Sequence, residues 1–539
     1  MQEGSFIWGH LERQHRTVDR WIDRLWLVVL LIAALLLFSV NLGGLPLQDW
    51  DEGVLAQVAR EIVRESGDSL RWLYPTLSGQ AYHDKPPLIH ILIAGVYSVG
   101  GVNEWTTRLP GAILTALSVP LLYCLGREIF RQRWAAIYSA LVYLTMLPVV
   151  RYGRLAMSDG VVVSFLLVMM LCVLRSRRDL RYCLGIGLSL GLICLTQGLS
   201  GLLLGAVVLV FLFWDTPRLL NSYYLWIAIA LGLLPVAGWY GAQLLKYGND
   251  FAHNGLIIPF LKQIGAISSK NTQPPWFYII ELLKWTWPWL IFLPQTAQLL
   301  WENRNLSWAR LILVWSIVYL LLMSLMSAKL AWYILPIYPS LALAFGAQLA
   351  EIENLPLMSS YPRAWVAGLS ILAVVASAGS IHFSWGITAK TDLQLIFAAV
   401  ALTMILGAIL AERGDGQFLK ILFWGSYISL LLLMKSNYWV WELWQAYPVK
   451  PVAAMIEKAN PAAKKIYTSF PYHRPSLDFY SDRHIIPASV EELEHRWHYE
   501  TQPYLLINIS DSKRLHLDSI KLLDKVEGWQ LVTKETNRL

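Results

Sequence analysis

The sequence predicts a polytopic α-helical membrane protein with about 13 transmembrane helices and a small C-terminal α/β domain. Of the 539 residues, 56% are hydrophobic and only 15% are charged, whereas roughly a quarter of the residues in a soluble domain are charged. Apolar runs long enough to cross a bilayer recur from residue 26 to residue 434. Because these runs are long and do not alternate with polar residues, helices are favoured over a β-barrel.

Thirteen apolar segments are the predicted spans, and the basic residues between them orient the chain. Arginines cluster before the first segment and in loops 127–133 and 175–181, which the positive-inside rule assigns to the cytoplasm. Residues 86–101 are short for a span and begin with Pro86-Pro87, so we expect a re-entrant or interfacial helix there. The predicted spans are 25–42, 109–126, 134–150, 161–174, 182–197, 199–214, 224–242, 285–300, 311–326, 333–350, 365–383, 393–411 and 419–436.

This pattern predicts three parts in the chain. Residues 1–24 form a cytoplasmic N-terminus, residues 25–436 form the membrane domain, and residues 437–539 form an extracytoplasmic domain. The first outer loop, 43–108, and the large outer loop, 243–284, then lie on the same side as the C-terminal domain. In that domain, helix-like "KPVAAMIEKA" and "SVEELEHRW" alternate with strand-like "KKIYTSF", "PYLLINI" and "WQLVTK", as in a small α/β domain.

Charge and cysteine usage exclude two classes of site. The net charge of +7 comes from basic residues scattered between apolar runs, so it indicates membrane topology and not nucleic-acid binding. The four cysteines all lie inside apolar segments, so neither disulfides nor a zinc–thiolate site is expected.

Three acids near the start of the first outer loop are the first candidates for chemistry. Asp49, Asp51 and Glu52 precede "VLAQVAREIV", whose apolar spacing predicts an amphipathic helix. One acid at that position is explained by helix capping. Three acids within four residues repel each other and usually require a cation or a reacting partner, so a functional role is an alternative to capping.

A second candidate is the pair Asp84-Lys85, directly before the short apolar helix. A lysine at an interface can extend its ammonium group toward anionic lipid in general. Alternatively, Lys85 binds the phosphate of one particular lipid as a point charge. The position alone leaves both interpretations open.

The order and spacing of several motifs resemble one group of membrane glycosyltransferases with the GT-C fold. The sequence is most similar to the lipid A aminoarabinose transferases and the protein O-mannosyltransferases, from about residue 25 to residue 345. The motifs are Asp51-Glu52, "AREI" (59–62), "GD" (67–68), P-x-L-x-G (75–79), Y-x-x-K-P-P-L (82–88), "RLPGA" (108–112), "RLAMSDG" (154–160), "QPPWFYIIELLKWTWPW" (273–289) and "SAKLAWYILPIYPSLAL" (327–343).

The resemblance implies roles for individual residues. The catalytic acid is Asp51, with Glu52 as its neighbour and Asp49 in support. Lys85 is expected to bind the donor phosphate, and the same motif includes Tyr82 as a supporting residue.

One departure from the family pattern concerns the donor phosphate. Relatives often have Thr-Lys-Gly where this chain has Gln197 between a threonine and a glycine, which removes an expected cation. Arg154 and Lys329 are the candidates to supply that charge, and Asp159 is a further supporting residue in "RLAMSDG".

The resemblance also raises the question of a divalent metal ion. The family usually has glutamate before the motif lysine and associates it with a metal, and this chain has Asp84 there. His253 in the large outer loop is the candidate second ligand, although a lone loop histidine is more often an ordinary polar residue. No nucleotide cofactor is expected, because no glycine-rich phosphate loop is visible.

Together these points imply transfer of a sugar, with inversion, from a polyprenyl-phosphate donor such as undecaprenyl phosphate. The acceptor is a hydroxyl of a glycolipid such as lipid A, or of a protein as in O-mannosylation, on the outer side of a bacterial inner membrane. The alternatives are a lipid or sugar transporter (a flippase) and an assembly scaffold. The charge lies mainly in outer loops and not in the spans, which favours interfacial chemistry over transport.

Overall fold

The protein is described by a computed structural model. It describes residues 3–64, 70–263, 272–353, 360–385, 390–441, 449–459, 461, 465–512 and 514–535.

The described residues are mainly helical. The α-helices are α1 Glu3–Ser39, α2 Val54–Arg64, α3 Leu88–Gly100, α4 Glu104–Ile129, α5 Arg133–Leu144, α6 Leu147–Arg154, α7 Ser158–Arg175, α8 Cys183–Gln197, α9 Leu202–Asp215, α10 Pro217–Leu220, α11 Tyr223–Tyr247, α12 Asn249–Phe251, α13 Ile258–Gln263, α14 Phe277–Trp285, α15 Leu293–Glu302, α16 Ser307–Leu325, α17 Tyr338–Glu353, α18 Arg363–His382, α19 Thr391–Glu412, α20 Gln417–Lys435, α21 Val449–Ala459, α22 Pro475–Ser481, α23 Val490–Tyr499 and α24 Ile509–Ser512.

The strands are short and concentrated near the C-terminus. They are β1 Thr76–Leu77, β2 Gln80–Ala81, β3 Lys465–Thr468, β4 His484–Pro487, β5 Tyr504–Asn508, β6 Ile520–Val526 and β7 Trp529–Lys534.

The structure confirms a multi-pass helical membrane protein but not the predicted number of spans. Within the described residues, ten helices are long and apolar enough to cross a membrane, or eleven if the bent pair α5–α6 forms one span. This pair corresponds to the predicted span 134–150 and is bent by 58°. Pro148, in the first turn of α6, has no backbone N–H to continue the helix.

Two other differences account for the rest of the count. The predicted spans 182–197 and 199–214 form one apolar helical stretch, Leu180–Asp215, interrupted by a 3₁₀ turn at Gly198–Gly201. The predicted span 285–300 is broken into a 3₁₀ turn, Trp289–Phe292, and the ten-residue α15. Pro288 and Pro294 lie at these breaks, where each removes a backbone donor.

Residues 86–101 contain the helix α3, which has only 13 residues. It is among the shorter apolar helices and not among the candidate spans. The expectation that this segment is not a full span agrees with its length.

The chain divides into two compact units. The helical unit comprises residues 1–41, 84–88 and 111–439, and the sheet unit comprises residues 42–83, 89–110 and 440–539. The sheet unit thus combines most of the predicted first outer loop with the predicted C-terminal domain.

The sheet unit contains a mixed five-stranded sheet of order β4-β3-β5-β7-β6. Strand β3 pairs in parallel with β4 and β5, whereas β7 pairs antiparallel with β5 and β6. Helix α21 packs its buried residues Val452 and Ile456 into a core with Leu506 and Leu531 on one face of the sheet. Leu493 and Trp497 of α23 belong to a second core cluster with Leu505 and Val532, because successive strand residues point to opposite faces. The predicted C-terminal α/β domain is confirmed.

Candidate active site

The acidic stretch of the first outer loop forms a π-helical turn, Asp49–Gly53, that leads directly into α2. The turn closes where the Gly53 amide donates to the Gln48 carbonyl oxygen at 2.7 Å. Helix α2 buries Leu55 and Val58, as its amphipathic pattern predicts. The acids therefore lie at the N-terminal end of α2, where both capping and a functional role were expected.

Glu52 is fully buried and forms an ion pair with Arg108. Arg108 Nε and Nη2 each donate to one oxygen of the Glu52 carboxylate at 2.8 Å. The main-chain N–H of Gln48 donates to Oε2 of the same carboxylate at 3.0 Å. Arg108 also donates to the main-chain carbonyl oxygens of Leu42, Leu45 and Pro46, so this pair ties the start of the sheet unit to α4.

Asp49 is held by the C-terminal part of the same unit. Arg474 Nε donates to Asp49 Oδ2 at 2.7 Å, and Arg474 Nη2 forms an ion pair with the same oxygen. The Ser476 hydroxyl donates to Asp49 Oδ1. Both oxygens of Asp49 are therefore bound to residues at the start of α22.

Asp51 lies between these two anchored acids and is half-buried. The three acids, which look equivalent in the sequence, are therefore in different environments. Asp49 and Glu52 are each neutralised by an arginine, which removes the mutual repulsion inferred from their spacing.

Tyr82, predicted as a supporting residue, is buried in the sheet unit. Its amide donates to the Pro75 carbonyl oxygen at 3.0 Å. Its ring lies edge-on to the ring of His90, with the centroids 5.4 Å apart.

The helical unit contains a polar cavity of about 170 Å³ that brings Asp84 and Lys85 together with residues of several spans. Its lining combines polar side chains with leucine and methionine side chains. The lining residues are Asp84, Lys85, Ser158, Gln197, Ser200, Leu203, Leu204, Tyr319, Met323, Met326 and Tyr333.

Gln197, the position of the missing family lysine, lines this cavity. Its side-chain amide donates to Asp159 Oδ1 at 2.9 Å, and Asp159 is almost completely buried. The predicted supporting residue Asp159 thus orients a neutral amide at the cavity wall.

The two alternative cations are placed differently. Arg154 is fully buried and donates to the carbonyl oxygens of Leu37 and Val40 at the end of α1. Its guanidinium also lies over the Trp439 ring, 4.5 Å from the centroid. Among the described residues it is not part of the cavity lining.

Lys329 is also buried, and burial lowers the pKa of its ammonium group. Its Nζ donates to the Gln273 carbonyl oxygen at 3.1 Å and to that of Met326, which lines the cavity. Lys329 therefore lies next to the cavity without lining it.

The two predicted metal ligands, Asp84 and His253, are placed differently relative to the cavity. Asp84 lines the cavity, whereas His253 lies in the exposed π-helical segment Ala252–Ile257 and does not line it. Within the described ranges, no three His, Cys, Asp or Glu side chains are grouped as a metal ion needs. A divalent metal ion held by Asp84 and His253 stays a prediction.

The structure adds residues that the sequence did not single out. Ser158, Ser200, Tyr319 and Tyr333 line the cavity. Ser158 and Tyr333 occur within motifs that were recognised, whereas Tyr319 lies inside an apolar span and has no distinguishing signal. Arg474 had no signal either, since it lies 425 residues from its partner.

The comparisons with known proteins show that the chain is similar to membrane glycosyltransferases. The family model described as dolichyl-phosphate-mannose-protein mannosyltransferase matches residues 84–240. An undecaprenyl phosphate-alpha-4-amino-4-deoxy-L-arabinose arabinosyl transferase of Aeromonas hydrophila is 28% identical over 70% of this chain and 70% of that protein. The corresponding transferase 1 of Sodalis glossinidius is 29% identical over 61% of this chain and 60% of that protein.

Solved structures agree with the sequence relatives. ArnT from Cupriavidus metallidurans bound to undecaprenyl phosphate superposes with a TM-score of 0.76, at 18% identity, over 95% of this chain and 98% of that chain. The oligosaccharyltransferase AglB of Archaeoglobus fulgidus superposes with a TM-score of 0.51, at 11% identity, over 92% of this chain and 70% of that chain. The predicted GT-C fold, the resemblance that led to it and the glycosyltransferase class are confirmed.

Proposed function

We propose, starting from this GT-C glycosyltransferase fold, that the protein transfers a sugar from a polyprenyl-phosphate donor to an acceptor hydroxyl. The observation that carries the proposal is the cavity in the helical unit, in which Lys85 meets hydroxyl and amide groups beside apolar residues. Transferases for undecaprenyl-phosphate-linked aminoarabinose are among the relatives, which supports an undecaprenyl-phosphate-linked sugar as the donor.

The cavity suits a lipid phosphate for electrostatic reasons. Lys85 supplies a point charge for the phosphate, and the hydroxyls of Ser158 and Ser200 supply hydrogen-bond donors. The apolar lining residues Leu203 and Met323 suit the first isoprene units. Donors arranged before the reaction stabilise the charge that develops on the departing phosphate oxygen, and such preorganisation is often the largest part of catalysis.

Asp51 is the proposed general base. The acceptor oxygen attacks the anomeric carbon, and Asp51 takes the hydroxyl proton. The bond from that carbon to the phosphate oxygen breaks, and its electron pair leaves with the polyprenyl phosphate, so the configuration inverts. Proton transfer to a positioned carboxylate is typically worth about 10²–10⁴-fold in rate. For Glu52, its buried pair with Arg108 supports a role in holding the turn.

The relatives and the charge pattern support a class of acceptor and a location. A glycolipid such as lipid A fits the aminoarabinose transferases, and a protein hydroxyl fits the mannosyltransferase family model. The bacterial relatives support the inner membrane, and the basic loops support a cytoplasmic N-terminus with a periplasmic C-terminal domain.

Substitution of Asp51 and Lys85 tests the proposal. Asp51→Asn should abolish transfer at normal membrane levels of the protein, because asparagine cannot accept the proton. Lys85→Ala should raise the KM for the lipid-linked donor more than tenfold, because the phosphate loses its cation. Mass spectrometry of envelope glycolipids and glycoproteins from wild type and Asp51→Asn strains would identify the missing modification and the accumulating donor.

Two charge-matched variants serve as controls. Asp524→Asn and Lys458→Ala each remove one charge from an ion pair at the surface of the C-terminal domain and should leave turnover unchanged. Normal turnover of Asp51→Asn would refute the base assignment, and an unchanged donor KM in Lys85→Ala would remove Lys85 from the phosphate site.

A further inference from the structure

The turn that carries Asp51 is fixed at both ends by ion pairs within the sheet unit. Glu52 is bound by Arg108 of α4, and Asp49 is bound by Arg474 and Ser476 at the start of α22. Asp51 is two residues from Asp49, so its position depends directly on where the anchored acid lies.

Arg474 is well suited to hold the turn. Its side chain is only 4% exposed, and its guanidinium lies over the Phe470 ring, 4.9 Å from the centroid. A buried arginine stacked on an aromatic ring has little conformational freedom to lose when it binds a carboxylate. The Asp49 carboxylate therefore meets a preorganised partner.

The backbone of the turn also packs closely against α22. A Cβ atom added at Gly53 would lie 2.7 Å from the Ser476 amide nitrogen and 3.1 Å from its Cα. Neither backbone atom can rotate away, so a larger residue at position 53 has to displace the turn or the helix.

The rest of α22 binds neighbouring parts of the same loop region. The Leu47 amide donates to Tyr480 Oη at 2.9 Å, and Tyr480 Oη donates to Glu104 Oε1 at 3.1 Å. Asp482, just after α22, forms ion pairs with Arg60 and Arg64 of α2. Burial raises the pKa of Asp482, but the two arginines outweigh this effect and lower the pKa overall.

We infer that Arg474, with Ser476, is a positioning residue for Asp51, so that the C-terminal domain contributes directly to the geometry of catalysis. This inference rests on the proposed function of Asp51. A catalytic group must be held within about 0.5 Å of its productive position, and a displacement of about 1 Å can cost roughly 10²-fold in rate. The two contacts of Asp49 supply that constraint from a part of the chain more than 400 residues away.

Steady-state kinetics of the full-length protein test the inference. Arg474→Ala should lower kcat by about 10- to 100-fold and change the donor KM less than threefold, because the donor cavity lies in the helical unit. Arg474→Lys should lower kcat less than Arg474→Ala does, because lysine keeps the positive charge but cannot contact Asp49 through two nitrogen atoms. Gly53→Ala should lower kcat in the same way while leaving every ion pair chemically intact.

Rescue and a matched control separate positioning from general stability. The double variant Asp49→Arg with Arg474→Asp should recover at least part of the kcat lost in Arg474→Ala, because it restores an ion pair at the same place. Arg496→Ala removes another arginine of the C-terminal domain, which pairs with Glu492 and Glu500 and lies over Tyr467. It should reduce the melting temperature without changing kcat.

The outcomes distinguish this inference from the proposed function. If Asp51→Asn is inactive but Arg474→Ala and Gly53→Ala keep wild-type kcat, the positioning role is refuted and the base assignment stands. If Arg496→Ala lowers kcat as much as Arg474→Ala does, the effect reflects domain stability and the inference fails. If Asp51→Asn itself is active, the proposed function fails first.

Discussion

Asp49, Asp51 and Glu52 illustrate how neighbours of the same charge acquire different roles. Glu52 is completely buried against Arg108, and Asp49 is bound through both oxygens at the start of α22. These partners compensate the charges of the two carboxylates that flank Asp51 in the chain. The spacing in the sequence identifies the group of three acids. The residues that each acid contacts in the folded chain then determine its environment.

Removing Arg108 from its buried ion pair with Glu52 should strongly reduce the stability of the protein. Arg108→Ala leaves a buried carboxylate uncompensated and also removes the donors to Leu42, Leu45 and Pro46. Breaking a buried pair by removing one partner typically costs about 3–5 kcal/mol. Thermal unfolding in detergent should therefore show a large decrease in melting temperature for Arg108→Ala.

The control is a surface arginine on the other unit. Arg304→Ala removes an exposed side chain that donates to the Trp301 carbonyl oxygen and should change the free energy of unfolding by less than about 0.5 kcal/mol. If Arg108→Ala and Arg304→Ala have equal melting temperatures, the buried Glu52–Arg108 pair does not contribute the predicted stabilisation.

Close packing of α8 against α11 is the clearest feature at the scale of the element. Gly187 and Gly191 are spaced as G-x-x-x-G on α8, and they face Ala228 and Gly232 of α11. A Cβ added at Gly187 would overlap the Ala228 carbonyl group. Small residues let helix backbones approach closely in a membrane, where packing and not hydrophobicity drives association.

Adding a side chain at this contact should reduce the stability of the protein, whereas the same change at a glycine outside the contact should not. Gly187→Ala should destabilise the protein by about 1–3 kcal/mol, the typical cost of overpacking, with a lower yield of folded protein after detergent extraction. Gly238→Ala on α11 is the matched control, because a Cβ at Gly238 meets nothing within 4 Å. Equal melting temperatures for the two variants would refute the close contact.

The spans show why element boundaries are harder to predict than element type. Apolar composition located nearly every membrane helix, but prolines and a 3₁₀ turn changed how the segments 134–150, 182–214 and 285–300 are divided. Hydropathy measures the transfer of side chains into lipid. It does not detect the backbone interruptions that decide whether two apolar segments form one helix.

At the scale of the whole molecule, chain order and spatial grouping differ. Residues 42–83 and 89–110 form one compact unit with residues 440–539, although residues 111–439 of the helical unit separate them in the chain. The Asp49–Arg474, Glu104–Lys450 and Arg60–Asp482 pairs join these segments. The acidic loop is therefore not an autonomous element.

Removing residues 440–539 should consequently affect the loop that carries Asp51. The truncated chain should still insert in the membrane, because its spans are apolar independently of the tail. Residues 42–83 should become sensitive to limited proteolysis, because they lose their packing partners, and transfer activity should be lost. The control is the full-length variant Lys458→Ala, which removes an exposed ion pair with Asp524 and should keep the wild-type digestion pattern. If residues 42–83 resist proteolysis in the truncated chain, they do not depend on the C-terminal domain for their packing.

By itself, the sequence determined the membrane class and the C-terminal α/β domain, because composition and periodicity are local properties. It indicated Asp51 and Lys85 as candidates only through the order of motifs that resembles the GT-C transferases. Only the tertiary structure decided that Asp49 and Glu52 are bound by arginines and that Gln197 lines the Lys85 cavity beside Asp159. It also decided that Arg154 binds main-chain carbonyls at the end of α1. The physical reason is that a buried charge takes its role from whichever donors the folded chain brings within about 3 Å, and these lie up to hundreds of residues away.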